Sequence, residues 1–320
     1  MDTYEQDRYV TTIDNLRTTL DTYGVAILLS VLSQNECEQM LSGAWDYLEN
    51  LSSKWPIPLS RNNQQTWKHF SDLFPSHSML MQHWGIGQAQ FLWDVRQNPN
   101  VVKVFSHLWG EEELLVSFDG ASVHLPPEIT RKGYAHKLWL HCDQSFTRND
   151  FEDAQSWVTA CDVEPGDATL VFLEGSHKFH KTIADKFNLH DRSDWHKLSD
   201  AEIKAYESLG CPLRRIKCPA GSMVLWDSRT IHCGQEAMKG RATPKMRCVG
   251  YICMAPKSRA TEAALKKKQK AFTELRTTMH NPAKIKLFPK IPRTYGAPIN
   301  IMTQVRQPVL TELGKKLAGF

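Results

Sequence analysis

The chain has 320 residues, 41% hydrophobic and 23% charged, a balance that supports a substantial core and excludes disordered, collagen-like and coiled-coil architectures. Lys+Arg 39 against Asp+Glu 35 leaves a formal charge of +4, well short of the basic excess with which nucleic-acid binders hold phosphates. Length alone allows two domains, but there is no internal repeat and no linker-like composition, so one domain over 1–320 is the better reading.

In chain order, Val10, Ile13, Leu16, Leu20 and Tyr23 recur at steps of three and four, which predicts an amphipathic helix ending near Gly24. Val25-Ala26-Ile27-Leu28-Leu29 reads as a short strand. Ser33 with Glu36 forms a capping box that opens a second helix, with Met40, Leu41, Ala44, Trp45 and Leu48 on its inner face. Residues 54–90 are rich in Trp, Pro, His and Asn without a period and read as a long loop, a kind of segment that is often functional.

From about residue 114 the pattern changes to short β-like segments at 114–118, 137–141, 156–162, 168–173, 222–227 and 246–254. Gly, Pro, Asp or Asn punctuates most gaps, as in an antiparallel sandwich or barrel. Ser199 with Glu202 caps a further helix that closes before Gly210. Residues 262–277 read as a Lys-rich helix whose Lys266-Lys267-Lys268 run is expected on a solvated face, followed by a Pro-rich tail. The expected organisation is a helical flank over about 1–110, a β core over 114–255 and a second flank over 256–320.

The cysteines at 37, 142, 161, 211, 218, 233, 248 and 253 show no zinc-knuckle or redox-pair spacing. The N-terminal stretch 1–7 is polar and acidic with no apolar signal region behind it, and no apolar run approaches the roughly 20 residues of a membrane span. The C-terminal residues are not a peroxisomal address. A cytoplasmic protein with reduced thiols follows, acting on a small molecule without nucleic-acid or membrane partners, as a monomer or homodimer.

The sharpest chemical feature is Leu138-Trp139-Leu140-His141-Cys142-Asp143. In extended chain alternate side chains share a side, so His141 and Asp143 project together while Cys142 points away. An imidazole and a carboxylate so placed can take adjacent positions on one metal, and His232, beyond the apolar stretch after Gly221, offers a third ligand. Two histidines and a carboxylate suit non-haem Fe(II), which keeps positions open for substrate and oxygen. Arg247 sits in an otherwise apolar strand, where a guanidinium is costly unless it meets an anion. A metal triad followed by one buried arginine is what a 2-oxoglutarate-dependent site requires.

With these residues in place, the sequence resembles the phytanoyl-CoA dioxygenase-like family of Fe(II)/2-oxoglutarate oxygenases. The resemblance is carried by His141-Cys142-Asp143-Gln144, by Trp157-Val158-Thr159-Ala160 with Asp162-Val163, by Leu173-Glu174-Gly175-Ser176-His177-Lys178, and by the Gly221-to-His232 stretch with Arg247 beyond it. Glu174 stands where the family's turn usually has proline. The resemblance covers about 115–255 and implies a mainly β fold with flanking helices around a double-stranded β-helix (jelly-roll, cupin-like) core.

It further implies His141, Asp143 and His232 as iron ligands and Arg247 as the anchor for the distal carboxylate of 2-oxoglutarate, with Trp157 and Thr159 lining that subsite. Arg241 is the competing arginine, but it follows Gly240 in a loop. Fe(II), 2-oxoglutarate and O2 are the expected cofactor and cosubstrates, and Asp143 favours hydroxylation because halogenating relatives replace that carboxylate with a small residue. Asp119, His124, Arg229 and the segment 67–84 are weaker candidates for contact with substrate. His177 and His180 are expected in hydrogen bonding, and Cys142 and Cys233 in packing. The alternatives are a jelly-roll module that lost turnover and a zinc-binding one.

Overall fold

Two sheets built almost wholly from antiparallel pairs stack face to face in the computed structural model, which describes residues 3–320. Met1 and Asp2 of the polar N-terminal stretch lie outside the described residues. The six-stranded sheet runs in the order Tyr4–Glu5, Leu213–Ile216, Thr169–Leu173, His232–Gln235, His141–Cys142 and His196–Lys197. The seven-stranded sheet runs Val25–Leu28, Met223–Asp227, Ala154–Thr159, Arg247–Pro256, Ala121–His124 and Leu80–Met81, with Leu114–Val116 also paired to Arg247–Pro256. This is the jelly-roll core with flanking helices.

The period of two decides which side chain enters which layer. Leu170 and Phe172 from one sheet meet Val224, Trp226, Trp157 and Val249 from the other between the sheets. Their neighbours Val171 and Leu173 face outward, under the helices His180–Phe187 and Asp200–Ser208, with Ile183, Ala184, Ala205 and Tyr206. Met223, Leu225 and Val158 face outward on the other sheet, into a helical layer that supplies Leu20, Met40, Leu48, Leu92 and Phe105. Both faces of both sheets are therefore covered, which is why the strands read as apolar runs rather than as alternations.

Local signals account for most helix ends. Both capping boxes form, Ser33 with Glu36 and Ser199 with Glu202. The first helix spans only Leu16–Tyr23 and ends on Gly24 at φ +81°. Val10, read as part of that helix, instead bridges to Ile27. The stretch 54–90 is more ordered than a loop, holding the 3-10 helix Gln64–Leu73 and the strand Leu80–Met81. Of 137–141 only His141 is in a strand, and the segments Ala121–His124, Leu213–Ile216 and His232–Gln235 are strands that periodicity missed. The Arg214-Arg215 and Gly234-Gln235 pairs hid the last two.

The helix Glu262–Thr273 corrects the expectation for its lysines. Lys266 pairs with exposed Glu262, but Lys268 is 0% exposed, with its ammonium donating to the Val116 carbonyl and lying 3.9 Å from the Phe118 ring centroid. Burial depresses its pKa, so the unfolded chain binds that proton more readily, and below about pH 10 this group costs stability that returns as pH rises. Lys268→Met keeps the stem and removes the charge. It is expected to raise the unfolding free energy by about 1–4 kcal/mol in urea titrations at pH 7 and to flatten the pH dependence. A less stable variant would show that the ammonium contributes more than it costs.

All eight cysteines carry free thiols, and all but Cys161 are buried. Among the described residues no helix is long and apolar enough to cross a membrane.

Candidate metal centre and its cavity

His141 and His232 stand directly opposite each other on paired antiparallel strands of the six-stranded sheet, their rings 4.5 Å apart. His141 Nδ1 lies 3.2 Å from the Trp139 carbonyl and His232 Nδ1 lies 2.9 Å from the Thr230 carbonyl. A carbonyl only accepts, so each Nδ1 carries a proton and each Nε2 is left to face Asp143 or a metal. Asp143 meets both, Oδ1 at 3.6 Å from His141 Nε2 and Oδ2 at 3.3 Å from His232 Nε2. Ligand atoms of the triad all fall within 4.8 Å of one another, and all three residues are buried. Two imidazole nitrogens and a carboxylate, preset and converging, fit a divalent iron with open positions.

Electrostatics agrees with that donor set. Burial drives the His141 imidazole down to about 4, with His232 adding to the effect, so His141 is neutral and ligand-competent at ordinary pH. Burial alone would raise the Asp143 carboxyl, but His141, His232 and His280 hold it well below the usual range. Gln155, on the Ala154–Thr159 strand, donates its amide to Asp143 Oδ2, and the Asp143 carbonyl accepts from Trp195 N–H. Gln155→Leu should therefore weaken metal binding about 10–100-fold in equilibrium titration while leaving the fold intact. An unchanged affinity would assign Gln155 to packing alone.

The triad opens into a cavity of about 330 Å³, within the range of small-molecule sites. Arg247 lies in its wall, 6% exposed, with Nε donating to Ser122 Oγ at 3.2 Å, Nη1 donating to the Ala168 carbonyl at 2.7 Å, and the guanidinium 5.2 Å from the Trp157 ring centroid. Burial pulls its pKa down, the mark of a cation short of a counter-charge. Arg241 is spoken for: it binds Glu128 at 2.8 Å and Asp167 at 2.9 Å, outside this cavity.

The other sequence candidates separate cleanly. Trp157 and Asp119 line the cavity. Thr159 does not, contrary to the expectation, because it ends its strand and donates its hydroxyl to the Cys161 carbonyl at 2.6 Å. His124 faces a neighbouring apolar pocket beside Phe70 and Phe74, and Arg229 is bound to Asp227 at 2.6 Å, so neither reaches the metal cavity. His177 and His180 hydrogen-bond the Asp21 and Ser145 carbonyls at 3.1 Å each. Cys142 and Cys233 point into the outer apolar layer. Glu174, in place of the family's proline, ion-pairs with Arg8 at 3.0 Å and fastens the N-terminal segment.

Residues the sequence did not single out complete the walls. Trp139, Trp195 and Trp226 surround the histidines, and Gln155 and Tyr251 share a strand face with Trp157 and Arg247 respectively, a signal available from strand parity. Met279, His280 and Phe288 arrive from the unperiodic tail, for which no sequence signal existed. Burial alone would lower the His280 imidazole, but Asp143, Asp153 and Asp119 raise it above its ordinary value.

A jelly-roll carrying a buried His-Asp-His set beside an unpaired arginine has the architecture of the oxygenase class built on a two-His, one-carboxylate centre. The family model for phytanoyl-CoA dioxygenase (PhyH) matches residues 20–238, more than half of the sequence, and the chain belongs to that family of oxygenase-type enzymes. Ava biosynthesis cluster protein O of Aspergillus versicolor is 27% identical over 270 residues, covering 81% of this chain and 83% of its own length. Among solved structures, GlcNAc Inducible Gene 2 of Candida albicans is similar with a TM-score of 0.58 at 14% identity, over 84% of this chain and 68% of that one. EctD of S. alaskensis, solved with bound Fe, is similar with a TM-score of 0.50 at 13% identity over 82% of each chain. At these identities the structural likeness speaks to fold.

Proposed function

We propose that this protein is an Fe(II)- and 2-oxoglutarate-dependent dioxygenase that hydroxylates a C–H bond of a small or medium organic substrate. The observation that carries the reading is one cavity with a two-His, one-carboxylate triad on one wall and a buried guanidinium without an acidic partner on another. His141, Asp143 and His232 would hold the iron. When bound with 2-oxoglutarate, the iron supplies oxidation by O2, coupled to decarboxylation to succinate and CO2. Arg247 binds and orients the cosubstrate's far carboxylate through its planar fork, with the Trp157 ring against the guanidinium. Gln155 steers Asp143 by its amide hydrogen bond, and the indoles of Trp139, Trp195 and Trp226 exclude water around the histidines.

The N-terminal stretch provides Ser76, His77, Leu80 and Gln82 to this cavity, and the tail provides Met279, His280 and Phe288. The site needs all three expected segments, which favours one domain over 1–320. A zinc-binding module or a module without turnover leaves Arg247 with no anion to meet.

Anaerobic protein with Fe(II) and 2-oxoglutarate should develop a weak visible charge-transfer band, and admitting oxygen should release succinate, slowly even without substrate. If no band forms, and His141→Ala and Arg247→Ala behave like the parent, the dioxygenase reading is wrong. A metabolite screen for substrate-stimulated succinate release then identifies the substrate.

A further inference from the structure

A second set of convergent donors lies one aromatic ring away from the triad. His77, His136 and Glu236 each present a ligand atom, and these atoms all lie within 4.8 Å of one another. The three come from separate parts of the chain. His77 precedes the Leu80–Met81 strand, His136 precedes Trp139, and Glu236 follows the His232–Gln235 strand. Strand parity puts Glu236 on the side of the sheet that His232 and Gly234 share. A backbone bond from Ala135 N–H to the Ala237 carbonyl, 2.8 Å, holds His136 beside it.

Glu236 is the informative member. It is 2% exposed, and its Oε1 is buried with no hydrogen-bond partner. Oε2 faces His136 Nδ1 at 3.8 Å, beyond hydrogen-bond reach. Burial of an unsatisfied carboxylate is costly, and a cation is the group that repays it. His136 is 57% exposed at its side chain, so the site opens to solvent and an ion can enter.

Its position relates it to the first centre. The His77 ring stacks on the Trp139 indole at 4.1 Å and 2°, and the same indole stacks on His141 at 4.6 Å and 7°. Trp139 also donates its indole N–H to the Gly234 carbonyl at 3.0 Å. His77 and Ser78 both hold φ in the left-handed region, +47° and +58°, so the loop that carries His77 is kept in a costly conformation. An ion on these three donors would tie that loop and the His136 loop to the end of the His232–Gln235 strand, and fix the indole that forms the cavity wall against His141.

We propose that His77, His136 and Glu236 form a second divalent-cation site of the zinc class, two histidines and a glutamate with an open position, which latches the cavity mouth. The donor set is that of three-ligand zinc sites. The site is separate from the oxygenase triad in every ligand and stands or falls independently of it.

Cobalt(II), a spectroscopically visible stand-in for zinc, tests the proposal by equilibrium dialysis of the full chain under anaerobic conditions. The parent should bind two ions, and His136→Ala, a change at an exposed side chain, should bind one. Glu236→Gln should also bind one, and His141→Ala with Asp143→Ala should retain one. Quenching of Trp139 fluorescence should track the ion lost in His136→Ala, with Trp139→Phe identifying its share of the signal. A parent that binds two and a His136→Ala variant that also binds two would overturn the site. So would a parent that binds one ion and loses it with His141 and Asp143. A parent whose single ion depends on His136 but not on His141 would support this site and overturn the first.

Discussion

Arg247→Ala is expected to raise the half-saturating concentration of 2-oxoglutarate roughly 30- to 5,000-fold, the range that corresponds to the ~2–5 kcal/mol cost of truncating one partner of a buried, hydrogen-bonded charge pair. The effect is large because Arg247 is buried and two of its donors are already committed to Ser122 and Ala168, which fixes the fork toward the cavity rather than leaving it to find its partner. Arg247→Lys keeps the charge but loses the planar fork and its paired donors, so it should recover only part of the affinity. Arg241→Ala is the control: it breaks ion pairs to Glu128 and Asp167 and should lower thermal stability while leaving the 2-oxoglutarate dependence alone. Initial rates of succinate release against 2-oxoglutarate, with calorimetric binding, read both outcomes. A parent-like curve for Arg247→Ala would remove it from the cosubstrate site.

Asp143→Ala, made in a His136→Ala background that removes the second cation site, should abolish metal-dependent stabilisation. A ligand that binds only the folded state adds about 2.7 kcal/mol when present at 100 times its dissociation constant. The His136→Ala protein should gain that much in Fe(II) or Co(II), and the same protein with Asp143→Ala added close to nothing, with succinate release lost as well. The two histidines alone leave a face of the ion unfilled, and the carboxylate is the charge that neutralises it. Trp195 hydrogen-bonds the backbone of residue 143, not its side chain, so the local loop should survive the substitution. Urea unfolding without metal checks this directly. Metal-induced stabilisation that persists in Asp143→Ala would place the ion elsewhere.

The convergent His-Asp-His set was legible in the sequence because its information is local. His141 and Asp143 share a side of two residues of extended chain, and His232 follows a glycine turn and an apolar stretch. The capping boxes at Ser33 and Ser199 are equally local and formed as read. Thr159 lies outside the triad's cavity, because family position says which strand a residue occupies but not where along it the cavity ends. His124 and Arg229 sit near the site in sequence terms, yet one faces a different pocket and the other is held by Asp227. The tail carried no period, since Met279, His280 and Phe288 face the cavity from irregular chain whose path depends on contacts with Phe118, Gly87 and Asp153.

The sequence by itself determined the kind of protein: a mainly β fold with flanking helices, a triad of the right ligands, and a basic residue too costly to bury without an anion. Those rest on strand parity, capping chemistry and desolvation, which act within a few residues or depend only on residue type. Tertiary structure alone decided which arginine is unpaired and which indoles wall the cavity. It also decided that Lys268 is buried and that His77, His136 and Glu236 converge. These depend on long-range packing between two sheets and on chain segments far apart in sequence, for which no local pattern carries information.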